Sequence, residues 1–404
     1  MNHEDRLILK VFDKQSPPNF WAKLVLLTGA NFALMAGAGL STAMPAMLTK
    51  FTDVPGAALL VSMIVTLPAL FVVVGGPLMG FLTDRFGRKP VLVGSILLGG
   101  LAGSGAYFLT NIVAILVTRA LVGFSIAGTM TATNALIADY FSGQARAKFM
   151  GYQSAFGGLG VVLFMPIGGV LADLSWEYTF LVYLSVLLVF FPALLTIREP
   201  KVSKSQESNI ESSHLKITLT QGYIFAANFL LHFAFMVVPV FIAYYLRELF
   251  GAGGLEVGLI GGLSGLLTFA GGMAYERIGR RLSYANLVVI GFTLSGLGLL
   301  TLGFARSWPM VIIGQSMSGF GMGLNFANLT TWIAHEVEPE VRGRANGIFV
   351  TLMFLGQFMT SLVYTPIINV TSYGFGFVLS GSIVLLTGLT SLWVKKSASA
   401  NLTT

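Results

Sequence analysis

The sequence contains no cysteine. Disulfides, thiolate nucleophiles and thiolate metal ligands are therefore excluded. Charge is also scarce: 10% of the residues are Asp, Glu, Lys or Arg, against about 25% in a soluble domain, so polar groups cannot cover a globular surface. No Gly-rich loop ending in Gly-Lys-Ser/Thr occurs, and nothing supports ATP hydrolysis by this chain. His and acidic residues nowhere cluster at metal-ligand spacing, and no Ser/His/Asp arrangement presents itself. No metal, no cofactor and no enzymatic activity are expected. Acidic residues are missing from one further place: all 17 lie at the ends of apolar runs or between them, none in the middle of a run.

What fills the chain instead is apolar: 55% of the residues, in many runs of membrane-spanning length. Each run of roughly 20 residues can cross about 30 Å of hydrocarbon. Backbone amides in lipid need internal partners, which leaves helices or a closed barrel. Barrel strands alternate every second residue, whereas "VSMIVTLPALFVVVGGPLMG" (Val61 to Gly80) is apolar throughout. The expected fold class is thus an all-α integral membrane protein. Its apolar runs predict about twelve helices, near 24–48, 56–82, 91–110, 112–138, 149–172, 177–196, 221–246, 255–275, 284–305, 309–334, 345–368 and 373–394.

Lys and Arg placement predicts orientation. With both termini in the cytoplasm, only Lys50, Arg247 and Arg306 of the 24 basic residues fall outside, and Arg119 lies within a run. The formal charge of +7 is then a topology signal and not the mark of a nucleic-acid partner. The N-terminal stretch lacks a basic-then-apolar cleavable signal, so the first helix is expected to be retained.

The longest polar stretch, "REPKVSKSQESNIESSHLKITLT" (Arg198 to Thr220), reads as a flexible linker in mid-chain. Internal repetition explains its position. "GFLTDRFGRK" (Gly80 to Lys89) aligns with "GMAYERIGRR" (Gly272 to Arg281), "ANF" at Ala30 recurs at Ala227, and "RAKFMG" at Arg146 aligns with "RGRANG" at Arg342. The organisation expected is a cytoplasmic N-terminus (1–23), a six-helix half (24–197), a linker (198–220), a second homologous half (221–395) and a tail (396–404).

These residues resemble the major facilitator superfamily. Its loop pattern Gly-x-Leu-x-Asp-Arg-x-Gly-Arg-Lys is met by Gly80, Leu82, Asp84, Arg85, Gly87, Arg88 and Lys89. Glu276, Arg277, Gly279, Arg280 and Arg281 supply the half-matched second copy usual in the family, and Arg119 with Gly123 resembles its fourth-helix pattern. The resemblance implies a secondary transporter that rocks two halves about a central site, sits as a monomer in the cell inner or plasma membrane, and draws on a proton gradient. Its partners would be protons, lipid and a small-molecule substrate. The fifth run carries Gly157, Gly158, Gly160, Pro166, Gly168 and Gly169, similar to the drug–proton antiporter pattern, but Met165 replaces the glycine before proline. Multidrug-type export of small amphipathic compounds is favoured. Uptake of a small solute and a transport-dead receptor on the same scaffold remain the alternatives.

The resemblance assigns the charged loop to gating, with Asp84 pairing across to the second half in one state and Asp139 and Arg146 in the same network. A plain positive-inside anchor also accounts for Arg85, Arg88 and Lys89, but not for Asp84. Gly87 is expected to turn the backbone with positive φ. Arg119 costs about 2.5–3.5 kcal/mol within a span, which makes it a candidate for proton relay or substrate recognition, with snorkelling as the alternative. His232 is the mid-span group that titrates near neutral pH. It is a candidate for proton coupling, for substrate contact or for a packed core histidine; Asp53 is the further coupling candidate. Asn31 and Asn228 hold equivalent places in the first helix of each half. With Asn134, Gln315, Asn325, Asn328 and Gln357 they are candidate ligands of a polar, uncharged cavity, walled by Phe32, Phe229 and Phe233; helix–helix hydrogen bonding is the alternative. Pro45, Pro77, Pro166 and Pro239 are expected to bend helices.

If Asp84 gates, Asp84→Asn should abolish transport at unchanged protein level. Wild-type transport by that variant would dismiss the role.

Overall fold

The computed structural model describes residues 18–200, 217–338 and 341–400, apart from the side chains of 30–37, 147, 154–155 and 393–400. Expectations for the N-terminus, linker and tail that fall on 1–17, 201–216 and 401–404 lie outside the described residues. The described chain is all helix and loop, without a strand. Its passes are α1 (Phe20–Leu40, Ser41–Ala43 and Met44–Lys50), α2 (Ala57–Phe86), α3 (Arg88–Phe108), α4 (Ile112–Tyr140), α5 (Gly143–Leu174) and α6 (Trp176–Thr196). The second set comprises α7 (Leu219–Phe250), α8 (Gly254–Gly279), α9 (Tyr284–Gly303), α10 (Trp308–Glu336), α11 (Arg342–Val370) and α12 (Tyr373–Ala400). Ten of these twelve are long and apolar enough to span a membrane by length and composition.

All twelve runs read from the sequence are helical. Several helices extend beyond their apolar core: α5 begins at Gly143 and carries Arg146 and Lys148 in its first turns. Backbone hydrogen bonding does not stop where apolar side chains do. The shortest break expected, between the third and fourth runs, is made by Asn111. Its side chain accepts from the amides of Val113 (2.8 Å) and Ala114 (3.2 Å), capping α4.

Proline sets two matched irregularities. The first helix of each half is interrupted just before a proline: α1 tightens to a 3₁₀ turn at Ser41–Ala43 ahead of Pro45, and α7 breaks at Met236 ahead of Pro239. A proline has no N–H for the carbonyl four residues back, so the ladder fails there. Pro77 and Pro166 lie inside α2 and α5, whose ladders they interrupt in the same way.

The helices pack in a pattern that repeats after six. In the first half α2 and α3 pack on α4, α3 on α6 and α1 on α5; in the second, α8 and α9 pack on α10, α9 on α12 and α7 on α11. Two seams join the halves, α2 with α11 and α5 with α8. Lipid-type surface surrounds them: Leu188 and Leu195 of α6 are 74% and 78% exposed, a state tolerable for such side chains in hydrocarbon and costly in water.

Close helix approach within a half rests on small residues. On α10, Gly319 and Gly323 lie against the backbone carbonyls of Ser264 and Thr268 on α8, leaving no space for a methyl group. Gly323→Ala should therefore destabilise the protein by about 1–3 kcal/mol through overpacking, read as a lower melting midpoint in detergent. Gly76→Ala, with nothing within 4 Å of the new methyl, should leave that midpoint unchanged or raise it.

Candidate transport site and gates

The two ends of the bundle differ. At the end carrying Asp53 the halves are sealed. On the α2–α11 seam, the hydroxyls of Ser62 and Thr365 lie 3.0 Å apart, Thr66 donates to the Ser361 hydroxyl at 2.8 Å, and Ser361 donates to the Ser62 carbonyl at 3.1 Å. All four side chains are buried. Nearby, Tyr244 of α7 donates to the Met44 carbonyl of α1 at 3.1 Å. The α5–α8 seam starts at Asp173, whose carboxylate accepts from the amides of Gly254 (2.5 Å) and Leu255 (2.9 Å). It continues through Met165 against Gly258 and Gly261 to Gly158 against Phe269, about halfway along α5. Asp53 itself is exposed in the turn between α1 and α2.

At the opposite end, carrying Gly87, the charged loop is organised within the first half. Gly87 has φ +99°, a backbone state that favours glycine. It releases α2 into α3, and the first amides of α3, Arg88 and Lys89, donate to Glu199 Oε1 (2.8 Å) and Oε2 (2.7 Å). A Cβ on residue 87 would meet that carboxylate at 2.7 Å. Arg88 Nε also bonds Asp139 Oδ2 at 3.2 Å. Asp139 thus contacts the loop, whereas Arg146 is exposed and makes no ion pair among the described residues. Arg85 lies over the rings of Phe81 and Phe86. Lys89 joins through its backbone amide, and Gly80 has open space around it. Asp84 is exposed and makes no hydrogen bond or ion pair among the described residues; in this state it has no partner from the second half.

The second copy of the loop is a sequence repeat without the same geometry. Gly279 is the last residue of α8, without positive φ. Glu276 pairs with Arg280 on its own helix at 2.7 Å, both largely exposed; Arg277 and Arg281 flank this pair. An exposed pair of this kind contributes only about 0.3–0.5 kcal/mol.

Between the ends, α7 gathers the interior candidates. Asn228 donates its amide to the Phe349 carbonyl of α11 at 2.8 Å, and its Oδ1 has no partner among the described residues. One turn on, His232 Nδ1 meets the Asn228 carbonyl at 2.9 Å. Its ring stands edge-on to Phe326 of α10 at 5.9 Å, and Phe326 is 40% exposed. Phe229 stacks on Phe233 at 6.1 Å, and Phe233 packs on Tyr364 at 5.1 Å. Gln357, partly exposed, lies one turn from Ser361 on α11, on the side away from the sealed end. Asn134 is exposed near the Gly87 end of α4. Asn31 and Phe32 are on α1, with side chains outside the described set.

Two expected cavity amides are elsewhere. Asn325 and Asn328 lie on the face of α10 that meets α9: Asn325 is against Gly291, and Asn328 donates to the Tyr284 carbonyl at 2.9 Å. Their spacing of three residues puts these two on a common stripe, and the stripe turns inward to the half. Gln315 is fully buried, one turn before Gly319, which faces α8. Arg119 is likewise placed inside its half. Its Nη2 donates to the Gly103 carbonyl of α3 at 3.1 Å, and its guanidinium lies over the rings of Phe180 (5.1 Å) and Tyr183 (4.9 Å). Snorkelling does not describe it, since the side chain is 1% exposed; cation–π contacts and one carbonyl hold it among α3, α4 and α6.

Glu199, Asp173 and Phe326 were not among the sequence candidates. Each acts on a partner far along the chain, and no local pattern marks it. Among the described residues no group of His and acidic residues is arranged to hold a metal.

Comparison with known proteins agrees with this architecture. The family model described as the Major Facilitator Superfamily matches residues 26–227 and again 224–403. The chain is 26% identical to the class C tetracycline resistance protein of Escherichia coli, covering 85% of this chain and 89% of that protein. It is 25% identical to the probable galactarate/D-glucarate transporter GudP of Bacillus subtilis, over 72% of this chain and 73% of that one. The crystal structure of a D-xylose–proton symporter superimposes with a TM-score of 0.77 at 18% identity, covering 92% of this chain and 97% of the other.

The bidentate cap predicts a local stability difference. Glu199→Ala should cost about 1 kcal/mol, as loss of a helix cap does, seen as a lower melting midpoint in detergent. Glu276→Ala at the second copy should leave the midpoint almost unchanged.

Proposed function

The chain belongs to the major facilitator superfamily of membrane transporters, and from that premise we propose that it exports small amphipathic compounds in exchange for protons, by alternating access. It is a multi-pass membrane transporter, not an enzyme, as its relatives are. One observation carries the proposal: the halves are joined by hydrogen bonds at the Asp53 end and, among the described residues, by none around Asp84, with uncharged amide and aromatic side chains on α7 and α10 between the two ends. The Gly87 end gathers Arg85, Arg88, Lys89, Arg146, Arg277, Arg280, Arg281, Arg342 and Arg344, and the other end Lys50, Arg247 and Arg306. By the positive-inside rule the Gly87 end faces the cytoplasm of an inner-membrane protein with both termini inside. The end without joining hydrogen bonds then faces the compartment from which an exporter loads. A single chain is the working unit.

In this reading Asn228, Phe229, His232 and Gln357, with Phe233 and Phe326, receive the substrate by apolar contact and a few amide hydrogen bonds. No carboxylate lies mid-span, so cation selection by an intramembrane acid is not part of the mechanism. His232 carries the coupling proton, as the titratable side chain placed among these groups. Similarity to the tetracycline resistance protein supports export. The second reading, uptake of a small polar solute, is supported by similarity to the galactarate/D-glucarate transporter.

Proteoliposomes with an imposed pH gradient, screened over lipophilic dyes, neutral drugs, sugars and organic acids, test both readings. Gradient-driven movement of lipophilic compounds is expected, and His232→Gln should remove the substrate-induced pH change. Movement of sugars or organic acids alone would replace export by uptake, and a normal pH signal in His232→Gln would dismiss that residue.

A further inference from the structure

The α5–α8 seam contains a cap supplied from the other half. Helix α8 begins behind Gly253, an N-cap residue with no side chain to satisfy the first free amides of the helix. The helix's own Glu256 accepts from the Gly253 amide at 2.6 Å. The next two amides, of Gly254 and Leu255, donate instead to Asp173, the penultimate residue of α5, at 2.5 and 2.9 Å. A carboxylate at a helix N-terminus gains from both hydrogen bonds and the helix dipole. The approach is prepared by small residues: a Cβ on Gly253 or Gly254 would lie 3.1 Å from Asp173 Oδ1, and Gly169 abuts the Gly254 carbonyl.

We propose that Asp173 is a charge-dependent latch that holds the Asp53 end closed. Among the described residues this contact is the one place where a carboxylate of one half hydrogen-bonds the other; the rest are hydroxyl and carbonyl pairs. It must break whenever α5 and α8 part at that end. The latch is exposed to solvent at its own end and borders a cavity of about 300 Å³ lined also by Thr42, Pro45, Arg247 and Val257. Arg247 on α7 is the basic residue of that lining. At this end the other charged residues on the neighbouring elements are Lys50 at the end of α1, Glu177 after α5, Glu248 on α7 and Glu256 on α8; those at the far ends of the same helices are Lys23, Arg146, Lys148, Glu276 and Arg277. The corresponding helix start in the first half, α2 behind Gly56, has no such carboxylate opposite it: α11 ends in Asn369 and Val370. The latch therefore belongs to one seam only and biases the two-state equilibrium toward closure at the Asp53 end.

The inference rests on alternating access and not on the identity of the substrate. It is tested on the full chain in lipid nanodiscs, using the absence of native cysteine. Ser62→Cys reports the sealed end, and Gly151→Cys reports the other; Gly151 is two turns from Gly158 on α5, with open space around it. Adding Asp173→Ala should speed maleimide labelling of Ser62→Cys severalfold and slow that of Gly151→Cys; Asp173→Asn, which keeps one acceptor and loses the charge, should fall between Ala and wild type. Unchanged labelling of Ser62→Cys in Asp173→Ala would overturn the latch. Faster labelling at both positions would also overturn it, because that marks general loosening. Failure of the export reading would instead appear in the proteoliposome transport assay with Asp173 intact.

Discussion

In hydrocarbon a backbone amide has no water to bond, so every span must satisfy its own N–H and C=O groups, and the helix is the way a single segment does so. Much of the structure follows from this. Helices cannot be remade during a cycle, so movement has to occur between them. The surfaces that part must be cheap to separate. The α2–α11 seam meets this condition with Ser62, Thr66, Ser361 and Thr365, whose hydrogen bonds are neutral. Each such bond contributes about 0.5–1.5 kcal/mol, whereas removing one partner of a buried ion pair costs about 3–5 kcal/mol. Uncharged pairs let a seam close firmly and still open.

Charge is accordingly confined to the ends, where water can take over when a contact breaks. Arg88 with Asp139, Glu199 on the start of α3, and Asp173 on the start of α8 all lie at helix ends. Arg119 is the exception within the membrane, and its surroundings explain how it is tolerated. Gly103 lends a carbonyl, and Phe180 and Tyr183 present their ring faces. A guanidinium so enclosed acts as a structural tie among three helices of one half.

The duplicated scaffold carries different chemistry in its two halves. Packing repeats after six helices, and the breaks before Pro45 and Pro239 repeat with it. Side-chain roles do not repeat. Gly87 turns with positive φ while Gly279 ends a helix, and Gln315 stands where the first half has Arg119. Backbone pattern depends on apolar periodicity and proline, which survive substitution. A particular hydrogen bond depends on one or two atoms and is readily lost.

Helix number, the two-half organisation and the positive φ of Gly87 were legible in the sequence, because run length, repetition and the steric needs of glycine are local properties. The family resemblance rested on the same local patterns. The interior candidates were legible only in part. Asn228 and His232 lie with Phe229 and Phe326, but Asn325 and Asn328 face α9. Composition gives no rotation for a helix that is apolar on nearly all sides, so a stripe of amides could be recognised and not aimed. Glu199 and Asp173 bond amides 111 and 81 residues away, and ordinary acidic residues at helix ends carry no mark of such partners. The sequence by itself determined which segments are helices, because hydrocarbon leaves the backbone no other solution. Only the tertiary structure decided which faces meet, which end is closed and which carboxylates hold it, because those depend on directions set by packing between distant helices.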